Sequence, residues 1–161
     1  MARKLQQEIQ QSQPFASLEE EAMLNLARTA DRLQSSMRQL LKPFGLTPNQ
    51  YNALRILRGA GPDGLTCTEL GERLVSEDPE ITRLLDRLAK QDLVRRRRND
   101  GDRRVVYTEI SSEGLEKLKL LDPLVIEGVQ NKMKHMSHER LTLLIDLLED
   151  ARQATSSGPS S

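Results

Sequence analysis

A change of hydrophobic periodicity within residues 81–114 constrains the fold of this chain more than any other feature. In residues 81–88 the apolar side chains recur every three or four positions, which predicts a helix with one buried face. Residues 93–98 and 103–110 instead favour two strands, and the Asn, Asp and Gly of residues 99–102 favour a turn between them. A helix this short must pack its apolar face on neighbouring elements.

The same segment carries an uneven share of the positive charge. Residues 81–114 contain nine basic and six acidic side chains, and residues 95–104 contain six arginines and two aspartates. The whole chain is neutral, with 24 basic and 24 acidic residues. An amphipathic helix followed by an arginine-rich hairpin therefore indicates contact with a polyanion. The four arginines of residues 95–98 alternate between both faces of a strand, so they cannot all serve one partner.

The composition excludes several classes of protein. At 161 residues the chain is one domain with or without an appendage, and its 2% of aromatic residues argues against a single-strand binder that stacks bases. A single cysteine, Cys67, excludes an intramolecular disulfide and suggests a reducing cytoplasm. No apolar run is long enough to cross a bilayer, and no signal-peptide core is seen at the N-terminus. We therefore expect a cytoplasmic protein without a membrane partner.

The sequence offers no assembled catalytic or metal site. With two histidines, one cysteine and no glycine-rich phosphate loop, no nucleophile–base pair can be identified, so an enzyme is the least expected class. His135 and His138 have a spacing that can bind metal on a helix, but Ser137 is expected to break the helix between them. Cys67 is interpreted as a small packing residue rather than a redox switch. We predict no metal and no cofactor.

Helices are predicted on both sides of the basic segment. Ser17 with Glu20 opens the first long helix, Thr66 with Glu69 forms a capping box, and Ser137 caps the last helix. Thr47-Pro48 and Pro79 are each expected in the first turn of a helix, and Pro123 is expected to kink or to divide a helix. The resulting segments are a flexible N-terminal arm (residues 1–16), an N-terminal helix (17–44), a central module (45–112), C-terminal helices (113–153) and a disordered tail (154–161).

The order of these elements looks like a winged helix-turn-helix, and the residues resemble the MarR family of bacterial transcription regulators. Four blocks carry the resemblance, the last two being the more specific: GLTPNQYNALRIL (45–57), LTCTELGERL (65–74), ITRLLDRLAKQDLVRR (81–96) and DGDRRVVYTEISSEG (100–114). The resemblance implies a mainly α fold with a small β-hairpin wing. Residues 45–112 would form the DNA-binding domain, flanked by N- and C-terminal dimerisation helices over residues 17–44 and 113–153.

The resemblance also implies roles for individual residues. The basic helix would enter the major groove, and the wing would bring Arg104 to the minor groove, with its geometry held by Asp102. The full set of expected DNA contacts is Thr82, Arg83, Arg87, Lys90, Arg96, Arg98, Asp102, Arg103 and Arg104. Asp92 stands where the family has glycine, and Asp also tolerates a left-handed backbone. Ile110-Ser111 replaces the usual Leu-Thr. Glu77, Asp78 and Glu80 would repel phosphates unless they face solvent or each other.

The predicted function is a homodimeric, sequence-specific binder of double-stranded DNA, a ligand-responsive repressor on a palindromic operator. Two copies are expected because the leucine-rich terminal helices exceed what one module can bury, and because specificity needs two half-sites. A small-molecule effector of unknown identity would contact Phe44 and Tyr51. The alternative is a family-like dimeric protein-interaction module that has lost operator binding, for which the acidic residues Glu77, Asp78 and Glu80 are the best support.

Overall fold

The computed structural model describes residues 4–156, with side chains described through residue 153. The tail predicted for residues 154–161 lies outside the described residues, except that the last helix continues to Ser156. Two compact units divide between Leu121 and Asp122. The elements in chain order are α1 (Lys4–Glu8), α2 (Leu18–Leu41), α3 (Pro48–Ala60), α4 (Cys67–Arg73), α5 (Ile81–Lys90), β1 (Val94–Arg98), β2 (Val106–Ile110), α6 (Ser112–Met133) and α7 (His138–Ser156).

Side-chain caps set where the helices begin. The Ser17 hydroxyl accepts a hydrogen bond from the Glu20 amide at the start of α2, as the sequence predicts. Thr47 and Gln50 form a reciprocal capping box at α3, with Pro48 in the first turn. At α4 the amide and hydroxyl of Thr66 both donate to the Glu69 carboxylate. These hydrogen bonds, the amide's first, lower the pKa of Glu69 below its ordinary value.

Residues 4–8 differ from the flexible arm expected over residues 1–16. They form α1, in which the side chain of Leu5 is only 4% exposed. The Glu8 carboxylate lies 2.9 Å from the Arg32 guanidinium of α2. One buried leucine and one ion pair thus hold this short helix in place. Flexibility elsewhere in the arm stays a prediction.

A two-stranded antiparallel sheet follows α5. Val94 pairs with Ile110 and Arg98 with Val106, and β2 starts later than expected because residues 103–105 belong to the loop. Leu65 adds a single bridge, exchanging two backbone hydrogen bonds with Thr108 at 2.9 and 2.8 Å. The sheet is therefore anchored both to the loop before α4 and to the end of α5.

Leucines form the core of the unit that holds the sheet. Eight are less than 2% exposed, namely Leu41, Leu54, Leu57, Leu70, Leu85, Leu88, Leu118 and Leu121. Burying each leucine side chain contributes about 1.5–3 kcal/mol. Of the stripe predicted for α5, Leu84, Leu85 and Leu88 are buried and Ile81 is half-buried, and they fix which face of α5 is left exposed.

Two helix boundaries differ from the sequence predictions. α5 begins at Ile81 rather than in the turn of Pro79, because Asp78 Oδ1 accepts the Glu80 amide at 3.0 Å and holds a turn there. Pro123 lies inside α6, which continues to Met133, so the expected division into two helices is wrong and the alternative, a kink, stays a prediction. The predicted cap of α7 is confirmed, since the Arg140 amide donates to Ser137 Oγ. Within residues 4–156, none of the helices has the length and apolar character needed to cross a membrane.

Candidate nucleic-acid interface

The exposed face of α5 carries two rows of polar side chains. One row holds Thr82 and Asp86, and Arg96 of β1 contacts the Asp86 side chain and the Thr82 backbone carbonyl. The other row, with Glu80, Arg83 and Arg87, lines a cleft beside the start of α3. Lys90 is exposed in the last turn of the helix. The predicted reading residues of α5 are thus all on its open side.

Arg96 connects the sheet to α5. Its Nη2 lies 2.8 Å from Asp86 Oδ1 and donates to the Thr82 carbonyl at 3.4 Å. The Arg96 side chain is 35% exposed, so it is partly covered by these partners. Arg96 was predicted as a DNA contact. The structure places it where it fixes the strand against the helix, and Arg98 lies on the same face of β1 by alternation.

The remaining arginines of β1 point to the opposite face. Arg97 lies over the Tyr107 ring, 5.4 Å from its centroid, and donates to the Asp63 carbonyl at 3.3 Å. Arg95 stands opposite Glu109 in the strand register. The four successive arginines therefore divide between two faces, as the alternation predicts.

The hairpin loop is built to present Arg104. Asn99 Oδ1 accepts hydrogen bonds from the amides of Gly101 and Asp102, at 2.7 and 3.2 Å. Asp102 Oδ1 accepts the Arg104 amide at 3.0 Å and lies 3.5 Å from Arg104 Nε. The Arg104 side chain is nevertheless 93% exposed. Asp102 thus orients Arg104 without covering it, and Arg103 beside it is also exposed.

The acidic residues before α5 have specific partners. Glu80 Oε1 lies 2.5 Å from Arg83 Nη1. Asp78 accepts hydrogen bonds from the Asn49 side chain and the Glu80 amide, each at 3.0 Å. Glu77 is exposed. The sequence interpretation expected these acids to repel phosphates or to serve a protein partner, and it missed the Glu80–Arg83 pair, although a spacing of three residues on a helix was an available signal.

The turn between α5 and β1 depends on Asp92 and Ser111. Asp92 has φ of +58°, so the left-handed backbone expected at this position is confirmed. The buried Ser111 hydroxyl donates to the Asp92 carbonyl at 2.6 Å and accepts the Gly114 amide at 3.0 Å. Ser111 therefore joins this turn to the start of α6. The sequence interpretation recorded Ser111 only as a departure from the family pattern.

Phe44 and Tyr51, the two aromatic residues predicted to contact an effector, do not line the open cleft beside α5. Tyr51 is 6% exposed within the core, and Arg55 covers its ring at 5.9 Å. Phe44 is half-buried in the turn after α2. A cleft of about 370 Å³ beside α5 is lined instead by polar and charged groups that include Gln34, Arg38, Asn49, Asp78 and Arg87.

Among residues 4–156 no group of three histidine, cysteine or carboxylate side chains is placed to hold a metal ion. Cys67 is a free, half-buried thiol at the start of α4.

An exposed basic helix, preceded by a helix and turn and followed by a hairpin that projects an arginine, defines a winged helix-turn-helix protein. The family profile described as MarR family matches residues 44–105. The fold also matches the crystal structure of a MarR transcription factor from Planctomyces limnophilus at 38% identity, covering 84% of this chain and 98% of that one, with a TM-score of 0.67. This chain belongs to the MarR family of transcription regulators.

Two further similarities agree with this assignment. The HTH-type transcriptional repressor YetL of Bacillus subtilis is 28% identical over 130 residues, 81% of this chain and 78% of that protein. The crystal structure of the S. aureus MepR–DNA complex is similar in fold at 21% identity, with 81% of this chain and 96% of that chain covered and a TM-score of 0.72. As a member of the MarR family, the chain is a DNA-binding transcription regulator rather than an enzyme.

Proposed function

We propose that this chain is a homodimeric repressor that acts in the cytoplasm and binds a palindromic operator. The observation that carries the proposal is the fixed placement of two exposed basic elements, Arg83 and Arg87 on α5 and Arg104 on the hairpin. Arg96 joins these elements through its contacts with Asp86 and Thr82. In this proposal α5 contacts base edges in the major groove, and Arg104 enters the adjacent minor groove, where a narrow groove attracts arginine.

Exposed apolar side chains support the homodimer. Large apolar residues that are more than half exposed occur on α2, on α6 and on α7, namely Leu18, Met23, Leu120, Ile126, Leu143, Ile145 and Leu147. Exposed apolar patches on a protein surface mark protein–protein interfaces. A second copy of the chain would cover these residues and would supply the second α5 that a palindromic operator requires.

The cleft of about 370 Å³ beside α5 supports a response to a small molecule. Arg38 and Arg87 offer positive charge there, while Gln34 and Asn49 offer hydrogen bonds. An effector bound in this cleft would contact Arg87, a residue that we also propose as a DNA contact. The two ligands would then compete for one side chain. Contact of the effector with Phe44 and Tyr51 stays a prediction.

Replacing Arg104 by alanine should weaken operator binding by about 1–3 kcal/mol, the size of one good groove contact. Arg104 is 93% exposed, so its removal should not disturb the fold. Gel-shift titration on a selected operator measures the effect, and sedimentation checks that the dimer persists. Arg97→Ala is the matched control, since it removes the same charge from the face of β1 that packs on Tyr107. Equal affinities of the Arg104 and Arg97 variants would contradict the assignment of Arg104.

Binding to random-sequence duplex DNA should fall steeply with salt. A protein that neutralises several phosphates releases their counterions, so the dissociation constant should rise by about 10³-fold between roughly 50 and 200 mM salt. Retention on heparin at the same salt concentrations is a rapid first measurement. The alternative, a dimeric protein-interaction module, predicts weak retention with little salt dependence. The pairing of Glu80 with Arg83 weakens the main support for that alternative, because the carboxylate charge is locally balanced.

A further inference from the structure

The first turn of α5 presents an ion pair to solvent. Glu80 Oε1 and Arg83 Nη1 are 2.5 Å apart, and the two side chains are 53% and 71% exposed. Glu80 occupies the N-cap position of α5, but its side chain makes no capping hydrogen bond. Asp78 accepts the Glu80 amide and is itself held by Asn49, so the backbone that carries Glu80 is fixed. The carboxylate thus stands beside the guanidinium at the end of α5 that a reading helix directs at base edges.

The two side chains together offer hydrogen-bond donors next to an acceptor. In the major groove a G·C pair presents, in order, the guanine N7 and O6 acceptors and the cytosine N4 donor. The O6 and N4 atoms are joined by a base-pairing hydrogen bond and so are about 2.9 Å apart. That spacing is close to the 2.5 Å between the paired atoms of Arg83 and Glu80. In an A·T pair with adenine in the guanine position, the thymine O4 acceptor would repel the Glu80 carboxylate.

We propose that Glu80 and Arg83 read one G·C base pair in each operator half-site as a single unit. Arg83 donates to guanine O6 and N7, and Glu80 accepts from the cytosine amino group, which makes Glu80 a specificity-determining residue. The inference rests on the proposed function, because it requires α5 in the major groove. Where the base pair presents an acceptor to Glu80, the carboxylate has no donor to accept from, which lowers affinity for DNA that lacks the matching base pair.

Selection from a random duplex pool tests the proposal with the full chain, comparing Glu80→Gln with the unsubstituted protein. The amide of the introduced glutamine can donate to the thymine O4 that repels the Glu80 carboxylate, so the variant should accept A·T at one symmetric pair of positions where the unsubstituted protein requires G·C. The ratio of affinities for G·C over A·T at those positions should fall by about tenfold. Because exposed ion pairs contribute little to stability, the variant should fold normally.

Glu77→Gln is the matched control, since Glu77 is an exposed acid of the same loop and its replacement changes the net charge equally. This variant should select the same bases as the unsubstituted protein. Arg83→Ala should relax the requirement at the same base pair that Glu80→Gln affects. If the two variants relax different base pairs, Glu80 and Arg83 do not act as a unit and the proposal is overturned.

The same selection also tests the role of Glu80 separately from the proposed operator binding. A motif enriched equally by the unsubstituted protein and by Glu80→Gln would overturn the role of Glu80 and leave the proposed function standing. If the unsubstituted protein enriched no motif, sequence-specific operator binding and the role of Glu80 would both be overturned.

Discussion

Replacing Gly114 by alanine is expected to lower the free energy of unfolding by about 3 kcal/mol, combining an overpacking cost with weakened hydrogen bonds. A Cβ atom at this position would lie 2.3 Å from the Leu93 carbonyl oxygen and 2.7 Å from Ile110 Cγ1. The Leu93 oxygen belongs to the backbone, so no side-chain rotation can relieve this contact. The first turn of α6 would have to move away, which would stretch the hydrogen bonds of Ser111 to the Leu93 carbonyl and the Gly114 amide.

Thermal unfolding at fixed protein concentration measures the loss, and the midpoint should fall by about 6–12 °C for a chain of this size. Gly59→Ala is the control, because nothing lies within 4 Å of a Cβ built on Gly59, which is within α3. The same change there should stabilise the helix by about 0.5–1 kcal/mol. A Gly114 variant as stable as the Gly59 variant would show that α6 does not pack on Leu93 as described.

Placing glutamates at Leu143 and Leu147 together should abolish the proposed dimer. The two leucines are 57% and 56% exposed on α7 and are four residues apart, so they lie on one side of the helix. Burying two carboxylates in an apolar interface costs several kcal/mol for each ion. This cost should outweigh the free energy that holds the dimer together. Sedimentation should show a monomer or a dimer that dissociates at micromolar concentration, and operator affinity should fall with it.

The control for this experiment is Gln153→Glu, which adds a carboxylate at an exposed polar position of the same helix. It should leave the sedimentation coefficient unchanged. A stable dimer of the Leu143 and Leu147 double variant would place the interface elsewhere on the molecule, with the exposed apolar residues of α2 as the next candidates.

Local chemistry made much of this fold predictable. A cap depends on a side chain and an amide three residues away, so Ser17, Thr66 and Ser137 could be assigned from sequence. The left-handed turn at Asp92 was expected from the family resemblance, in which glycine occupies this position, because Asp also tolerates that backbone. Ser17, Thr66 and Ser137 fix the starts of α2, α4 and α7, and Asp92 lies in the turn that joins α5 to β1.

Contacts between distant residues could not be predicted in this way. Nine basic and six acidic side chains in residues 81–114 allow many pairings, and only the packed backbone selects Arg96 with Asp86. The bridge between Leu65 and Thr108 depends on the loop before α4 reaching β2. The continuity of α6 through Pro123 also went against a local rule. The partner of each arginine therefore depends on the packed structure and does not follow from the sequence.

The contact of Arg96 with Asp86 and Thr82 has a consequence for the DNA itself. It leaves the hairpin little freedom to move relative to α5, so the two elements span a fixed distance. A duplex whose grooves do not match that distance must bend or twist to meet both. The cost of this deformation depends on the local base sequence. Base pairs lying between the two contacts should therefore influence affinity through their stiffness, although no side chain touches them.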